Sequence, residues 1–209
     1  MANINNHASK SNPAFRDYTQ TPPWLFAALN HYFDYNLDGA ALKISALCER
    51  FITPRQNSLT KDWSKLLADQ KKPSVWLNPP YSNILPWVDK AGEQRQKSVL
   101  TTLLVPRENR AQWWPYDRAS QIWDIVGYYK THTYKTGKRK GTSVKKWCSG
   151  GIRFVNAKTG IEEKNELNKP MCVIIFDPLH IGPCIQKSIR KDELMAIGYA
   201  ALEQQKALL

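Results

Sequence analysis

The most constraining feature of the chain is the stretch Ser74-Val75-Trp76-Leu77-Asn78-Pro79-Pro80-Tyr81-Ser82, where an apolar run stops at two consecutive prolines. Val75, Trp76 and Leu77, bounded by Pro73 and the proline pair, have the length and composition of a buried strand. Neither proline has an N–H, both fix φ, and each disfavours helix for the residue before it. The strand cannot run on, so Asn78 and Tyr81 are held on a stiff, extended corner whose carbonyls stay free to accept. In an open α/β sheet such a corner lies where ligands bind, beyond the carboxyl ends of the strands.

Asn78 offers an amide oxygen, the Pro79 carbonyl offers a second acceptor, and Tyr81 offers a flat aromatic face. That set suits a planar ring carrying an exocyclic amine. Two acceptors hold both amino hydrogens, the nitrogen lone pair points outward, and the ring stacks on the tyrosine. Asn-Pro and Pro-Pro are also ordinary turn signals, so the tetrapeptide alone fits the end of any strand.

The elements before the corner are short. Thr21 suits an N-cap and Pro22 a first helical position, which predicts a helix over residues 22–32 that buries Leu25, Phe26 and Leu29. The free N–H groups at its start can hold a carboxylate. Residues 33–41 read as a strand running into Asp38, Gly39, Ala40 and Ala41, where a small molecule can approach the backbone and Asp38 can pair with a cationic amino group. Residues 46–52 read as a second short element and residues 53–59 as a loop.

After the corner, residues 84–97 read as a helix packed by Leu85, Trp87 and Val88, and residues 99–105 as the best continuous strand. Strand, helix and strand make a β-α-β unit, which predicts a mostly parallel sheet. Arg107 and Arg110 follow that strand on the same rim as Asn78, where they can meet phosphate. Trp113 and Trp114 are assigned to the core. Residues 151–156 and 171–176 read as a late antiparallel pair closing the sheet, and residues 185–209 as a packing helix, which leaves a monomer or a weak dimer.

Charge narrows the partner. Thirty Lys and Arg against 18 Asp and Glu give a formal charge of +12, which implies a polyanion, nucleic acid first. The surplus gathers in residues 128–150, which contain Lys130, Lys135, Lys138, Arg139, Lys140, Lys145 and Lys146, interleaved with aromatic residues, and no acidic residue. This stretch reads as a hairpin or loop projecting from the sheet to bind phosphate. The four cysteines lack C-x-x-C spacing, so neither a zinc site nor a disulfide framework is indicated. No apolar run approaches the roughly 18 residues that span a membrane, and the polar start has no signal-peptide core, so a cytoplasmic protein is expected. A flexible leader over residues 1–18 precedes a single domain over residues 19–209.

Taken in order, Thr21-Pro22 with Leu25-Phe26, Asn36-Leu37-Asp38 with Ala40-Ala41, Cys48 to Thr53, Ser58-Leu59 with Asp62-Trp63, and Asn78-Pro79-Pro80-Tyr81 with Trp87-Val88 closely resemble the phage-type Dam family of DNA N6-adenine methyltransferases. The likeness resumes at Leu104-Val105-Pro106, Trp113-Trp114, Ile152-Arg153-Phe154 and Val173 to Phe176, and so spans roughly residues 19–178. It implies a Rossmann-like class I fold, a mixed, mostly parallel sheet flanked by helices. It also implies S-adenosylmethionine as methyl donor, double-stranded DNA as partner, and direct in-line transfer to the N6 of a flipped adenine.

Carried over by position, the resemblance makes Asn78, Pro79, Pro80 and Tyr81 the target-amine pocket, and Thr21, Pro22, Asp38, Gly39 and Ala40 the cofactor side. Asn57 stands where relatives usually have an aspartate and is implied to touch the cofactor adenine, with the charge lost. DNA contacts fall to Arg107, Arg110, Lys135, Lys138, Arg139, Lys140, Lys145 and Lys146. The same corner would also serve an N4-cytosine or RNA amino methyltransferase, and a non-catalytic DNA-binding relative would keep the fold.

Overall fold

A computed structural model describes residues 19–207, and the leader expected over residues 1–18 lies outside them. The chain runs β1 (Thr19–Gln20), α1 (Pro23–Phe33), β2 (Leu37–Asp38), β3 (Arg50–Phe51), two 3-10 turns, a one-turn α2 (Trp63–Leu66), β4 (Ser74–Leu77), α3 (Leu85–Arg95) and β5 (Leu100–Pro106). It continues through β6 (Gln121–Val126), β7 (Tyr128–Thr133), β8 (Ser143–Cys148), β9 (Val155–Asn156), β10 (Met171–Phe176), β11 (Ile185–Arg190) and α4 (Lys191–Ala207).

Seven strands form the central sheet in the order β11-β6-β10-β5-β4-β2-β3. β10 lies antiparallel to both of its neighbours, and the other adjacent pairs are parallel. β2, β4, β5 and β6 therefore share one direction and end on one edge. The strands β4, β5 and β10 are nearly continuous apolar runs because both faces of the sheet are covered. Alternate side chains go to opposite layers. Val75, Leu77, Leu103, Val105 and Ile174 join Val88 and Ala91 of α3, while Trp76, Leu104, Val173 and Ile175 join Leu25 and Leu29 of α1 and Leu194 of α4. Among the described residues no helix is long and apolar enough to cross a membrane.

The structure corrects several sequence expectations. Pro22, not Thr21, is the N-cap of α1, and Pro23 takes the first helical position, so the Thr21 side chain makes no cap. The short elements shrink to Leu37–Asp38 and Arg50–Phe51, each held by parallel pairing rather than by length. Residues 151–154 form no strand: Ile152 and Phe154 sink into the α1–α4 layer, and β9 pairs with β1 instead of closing the sheet with β10. Residues 185–190 are not helical. Ile185 and Ile189 are four apart, which suits a helix face, but they also share one face of a strand, and β6 offers that strand a free edge. The helix begins only at Lys191, where Asp192 and Glu193 fall in its first turn.

α1 and α4 pack so closely that a Cβ on Gly198 would lie 1.9 Å from the Trp24 carbonyl oxygen. Gly198→Ala must push the helices apart, at an expected cost of about 1–3 kcal/mol. A thermal melt should show Tm lowered by several degrees; an unchanged Tm would mean that the two helices do not approach in this way.

Candidate functional site

The shared carboxyl edge collects the residues with chemistry. Asp38 ends β2, Asn78 follows β4, Arg107 follows β5, and the β7–β8 hairpin leaves the end of β6 through Gly127. A small cleft at this edge is lined by Gln20, Thr21, Asp38, Ala40, Ser45, Leu47, Trp76 and Asn78, among others. Asn78 faces it because it shares the parity of Trp76, two residues earlier on the α1 side of the sheet.

Asp38 is 3% exposed. Its Oδ1 accepts from the Ala40 N–H at 3.2 Å and its Oδ2 from the Leu47 N–H at 3.1 Å. Burial pushes its carboxyl up to about 6, against those two bonds, which favour the ion. The Thr21 hydroxyl in the same lining is buried and has no hydrogen-bond partner among the described residues. A buried carboxylate and a buried hydroxyl that find, among the described residues, no counter-ion and no partner respectively are the donor and acceptor set expected of a wall that completes itself on a polar, cationic ligand.

At the corner, Asn78 is half-buried, Pro79 buried and Pro80 exposed. The Pro80 carbonyl closes a turn by accepting from Asn83 N–H at 3.4 Å, whereas the Pro79 carbonyl accepts no hydrogen bond among the described residues. The Tyr81 hydroxyl donates to Asn78 Oδ1 at 2.8 Å. Its ring is not a free platform: it packs partly into both core layers and stands edge-on to Phe154, with centroids 6.5 Å apart at 74°. Burial pushes the Tyr81 phenol well above its usual range, so it remains a hydrogen-bond donor.

Other expected site residues fall differently. Gly39 does not open the cleft: a Cβ there would meet Leu77 Cδ2 at 2.7 Å and Val75 Cγ1 at 3.1 Å, so its smallness serves packing on the α3 side. Pro22 shapes the entry to α1 and does not line the cleft. Asn57 is exposed and also outside the cleft lining; it sits at φ +52 between the two 3-10 turns, a left-handed position that asparagine tolerates well.

Arg107 is bound inward, its Nε 2.6 Å from Asp124 Oδ1 and its guanidinium 5.9 Å over the Trp114 ring. Arg110 is exposed beside it, in a second, open hollow formed by residues 107–111. The hairpin carries Lys135, Lys138, Arg139 and Lys140 at or near its tip and Lys145 and Lys146 on β8, all exposed. Arg139 and Lys146 each lie 5.6 Å from the Tyr134 ring centroid. The structure thus brings Thr21, Asp38, Ala40 and Asn78 together and keeps the cationic residues outside the cleft. From the sequence Asp124 is not assigned to the site, and Phe154 is read only as part of a strand and of the family likeness, not as a neighbour of Tyr81. An acidic residue between Trp123 and Ile125 was a visible signal for the first, and nothing local marked the second.

The family model for DNA N-6-adenine-methyltransferase (Dam) matches residues 8–201. The chain is 32% identical over 176 residues to the DNA N-6-adenine-methyltransferase of Haemophilus phage HP1, covering 81% of this chain and 84% of that protein. It is 36% identical over 176 residues to the DNA N-6-adenine-methyltransferase of Escherichia phage T1, covering 81% of this chain and 66% of that one. With a cleft that can hold a cationic ligand beside a corner of paired acceptors, and a match running through nearly its whole length, the chain belongs to the Dam family of DNA N-6-adenine-methyltransferases.

Proposed function

We propose that this DNA adenine-N6 methyltransferase takes its methyl group from S-adenosylmethionine held by Thr21 and Asp38, with Asn78 at the target-amine end of the cleft, and acts on an adenine flipped out of double-stranded DNA. The observation that carries this reading is the convergence, in one cleft, of the buried Asp38 carboxylate, the Thr21 hydroxyl, unpaired among the described residues, and the Asn78 amide that opens the Asn78-Pro79 corner. Asp38 suits the ammonium of an amino-acid moiety. Bound there, the cofactor supplies a methyl group already activated on its sulfonium. The sheet, four adjacent parallel strands followed by one antiparallel strand inserted before β6, supports the Rossmann-like class I assignment.

The protein's part is positioning and dipole orientation. Asn78 Oδ1 and the Pro79 carbonyl accept the two amino hydrogens of the adenine, which leaves the N6 lone pair directed into the cleft. A phenol held protonated excludes Tyr81 as a base and leaves its ring to offset part of the unstacking cost, a few kcal/mol. Stacking on the base requires that ring to turn from its edge-on contact with Phe154.

DNA lies across the carboxyl edge, gripped by the β7–β8 hairpin. Its register sets Lys130 directly opposite Lys146, a like-charge pair that destabilises an isolated hairpin and that a phosphate backbone relieves. On the other face Tyr129 and Trp147 pair at 5.0 Å while 66% and 60% exposed, unpaid apolar area that nucleotides can cover. Arg110 extends this basic surface toward the corner, and Arg107 does so only while its bond to Asp124 yields.

Asn78→Ala removes an acceptor needed in the transition state and should lower turnover by roughly 10²–10³-fold, with cofactor affinity by calorimetry and the far-ultraviolet circular dichroism little changed. Normal turnover in this variant would dissolve the corner assignment. Because Asp38 titrates near 6, ionised Asp38 costs the free fold stability as pH rises from the ordinary carboxylate range through about 6, and a bound cation restores it. Affinity for S-adenosylmethionine should hold steady above about pH 7 and weaken by up to about tenfold per unit below about 6, and Asp38→Asn should bind weakly without this slope. A wild-type affinity indifferent to pH would take Asp38 out of the contact.

A further inference from the structure

We propose that Tyr81 is a positioning residue whose hydroxyl locks the Asn78 amide with its oxygen, not its nitrogen, toward the target amine. This rests on the corner reading above. An asparagine at an amine-binding position has a weakness that an aspartate lacks, because a half-turn about its last side-chain bond exchanges an acceptor for a donor at nearly identical shape. Turned the wrong way, Asn78 would set an NH2 group against the adenine NH2 group.

The structure holds a device that breaks this degeneracy. The Tyr81 O–H donates to Asn78 Oδ1 at 2.8 Å, using one lone pair and leaving the second for the substrate. Among the described residues Asn78 is the phenol's one hydrogen-bond partner. If the amide turned, Nδ2 could donate to the phenol oxygen, but the phenol hydrogen would then have no acceptor among the described residues in a part-buried setting, which costs free energy. The stiff Pro79-Pro80 link, which spaces the two residues three apart, keeps the hydroxyl in reach, and a turn of the ring about its long axis leaves the hydroxyl oxygen in place. The lock and the stacking ring are separable, since phenylalanine keeps the ring and loses only the donor.

Tyr81→Phe should lower kcat about tenfold, the equivalent of one lost orienting bond, with S-adenosylmethionine affinity unchanged. In an Asn78→Asp background, where both oxygens accept, the same change should cost less than about twofold, because there is no orientation left to fix. Equal losses in the two backgrounds, or no loss in the wild-type background, would overturn the lock. Should Asn78→Asp be inactive, binding decides. Duplexes bearing the sequence that the wild-type enzyme methylates, with adenine or hypoxanthine at the target, are compared. A turned amide offers donors to the 6-oxo group, so Tyr81→Phe should shift the binding ratio toward hypoxanthine relative to wild type, and an unmoved ratio would overturn the proposal. An inactive Asn78→Ala alongside a fully active Tyr81→Phe would sink the lock alone and leave the corner standing, whereas a fully active Asn78→Ala would sink both.

Discussion

Two consecutive residues without an N–H end β4 at Leu77, and the placement of the site follows from that ending. Neither proline can donate to a ladder, so the chain must leave the sheet at the edge where β2, β5 and β6 also finish. Because these strands share a direction, the same edge receives Asp38, the Arg107 loop and the root of the basic hairpin. The edge is rigid because the sheet is covered on both sides, by α3 on one and by α1 with α4 on the other. Contact as close as that of Gly198 with Trp24 leaves little freedom for the layer that carries Thr21 into the cleft.

Stability is given up in several places at this edge, and each points outward to a ligand. Among the described residues Asp38 is buried with backbone N–H groups and no cation, so its charged form is disfavoured in the free protein, and Thr21 buries a hydroxyl without a partner. The hairpin sets Lys130 against Lys146 and exposes Tyr129 and Trp147. Elsewhere Arg50 with Asp69, Lys97 with Asp62 and Glu93, and Arg190 with Asp192 pair their charges locally. The unsatisfied groups gathered along this rim fit the reading proposed above, in which a cationic cofactor and a polyanion bind there.

Much of this was legible in the sequence, for reasons that differ by element. The corner, the α1 helix and the β4-α3-β5 unit carry strong local signals: a proline pair, a proline at a helix start, and continuous apolar runs. The hairpin was legible from one-sided charge. What failed depended on partners distant in sequence. β11 was read as helix because Ile185 and Ile189 fit both periods, and only the free edge of β6 decides between them. β10 was placed at the end of the sheet, yet it lies between β5 and β6, which no local pattern announces. The smallness of Gly39 suggests room for a ligand, yet the space its missing Cβ leaves is on the side of Leu77 and Val75, and which side that is depends on residues distant in sequence. The bond of Arg107 to Asp124 escaped notice because it joins two strands separated in the sheet by β10.

The most direct test is transfer of radiolabelled methyl from S-adenosylmethionine to unmethylated plasmid DNA, followed by digestion to nucleosides and chromatography. A Dam-family enzyme with this corner and this cleft should place the label in N6-methyldeoxyadenosine and in no other nucleoside. Label in N4-methyldeoxycytidine, or no label in DNA from protein that is folded and binds the cofactor, would contradict it.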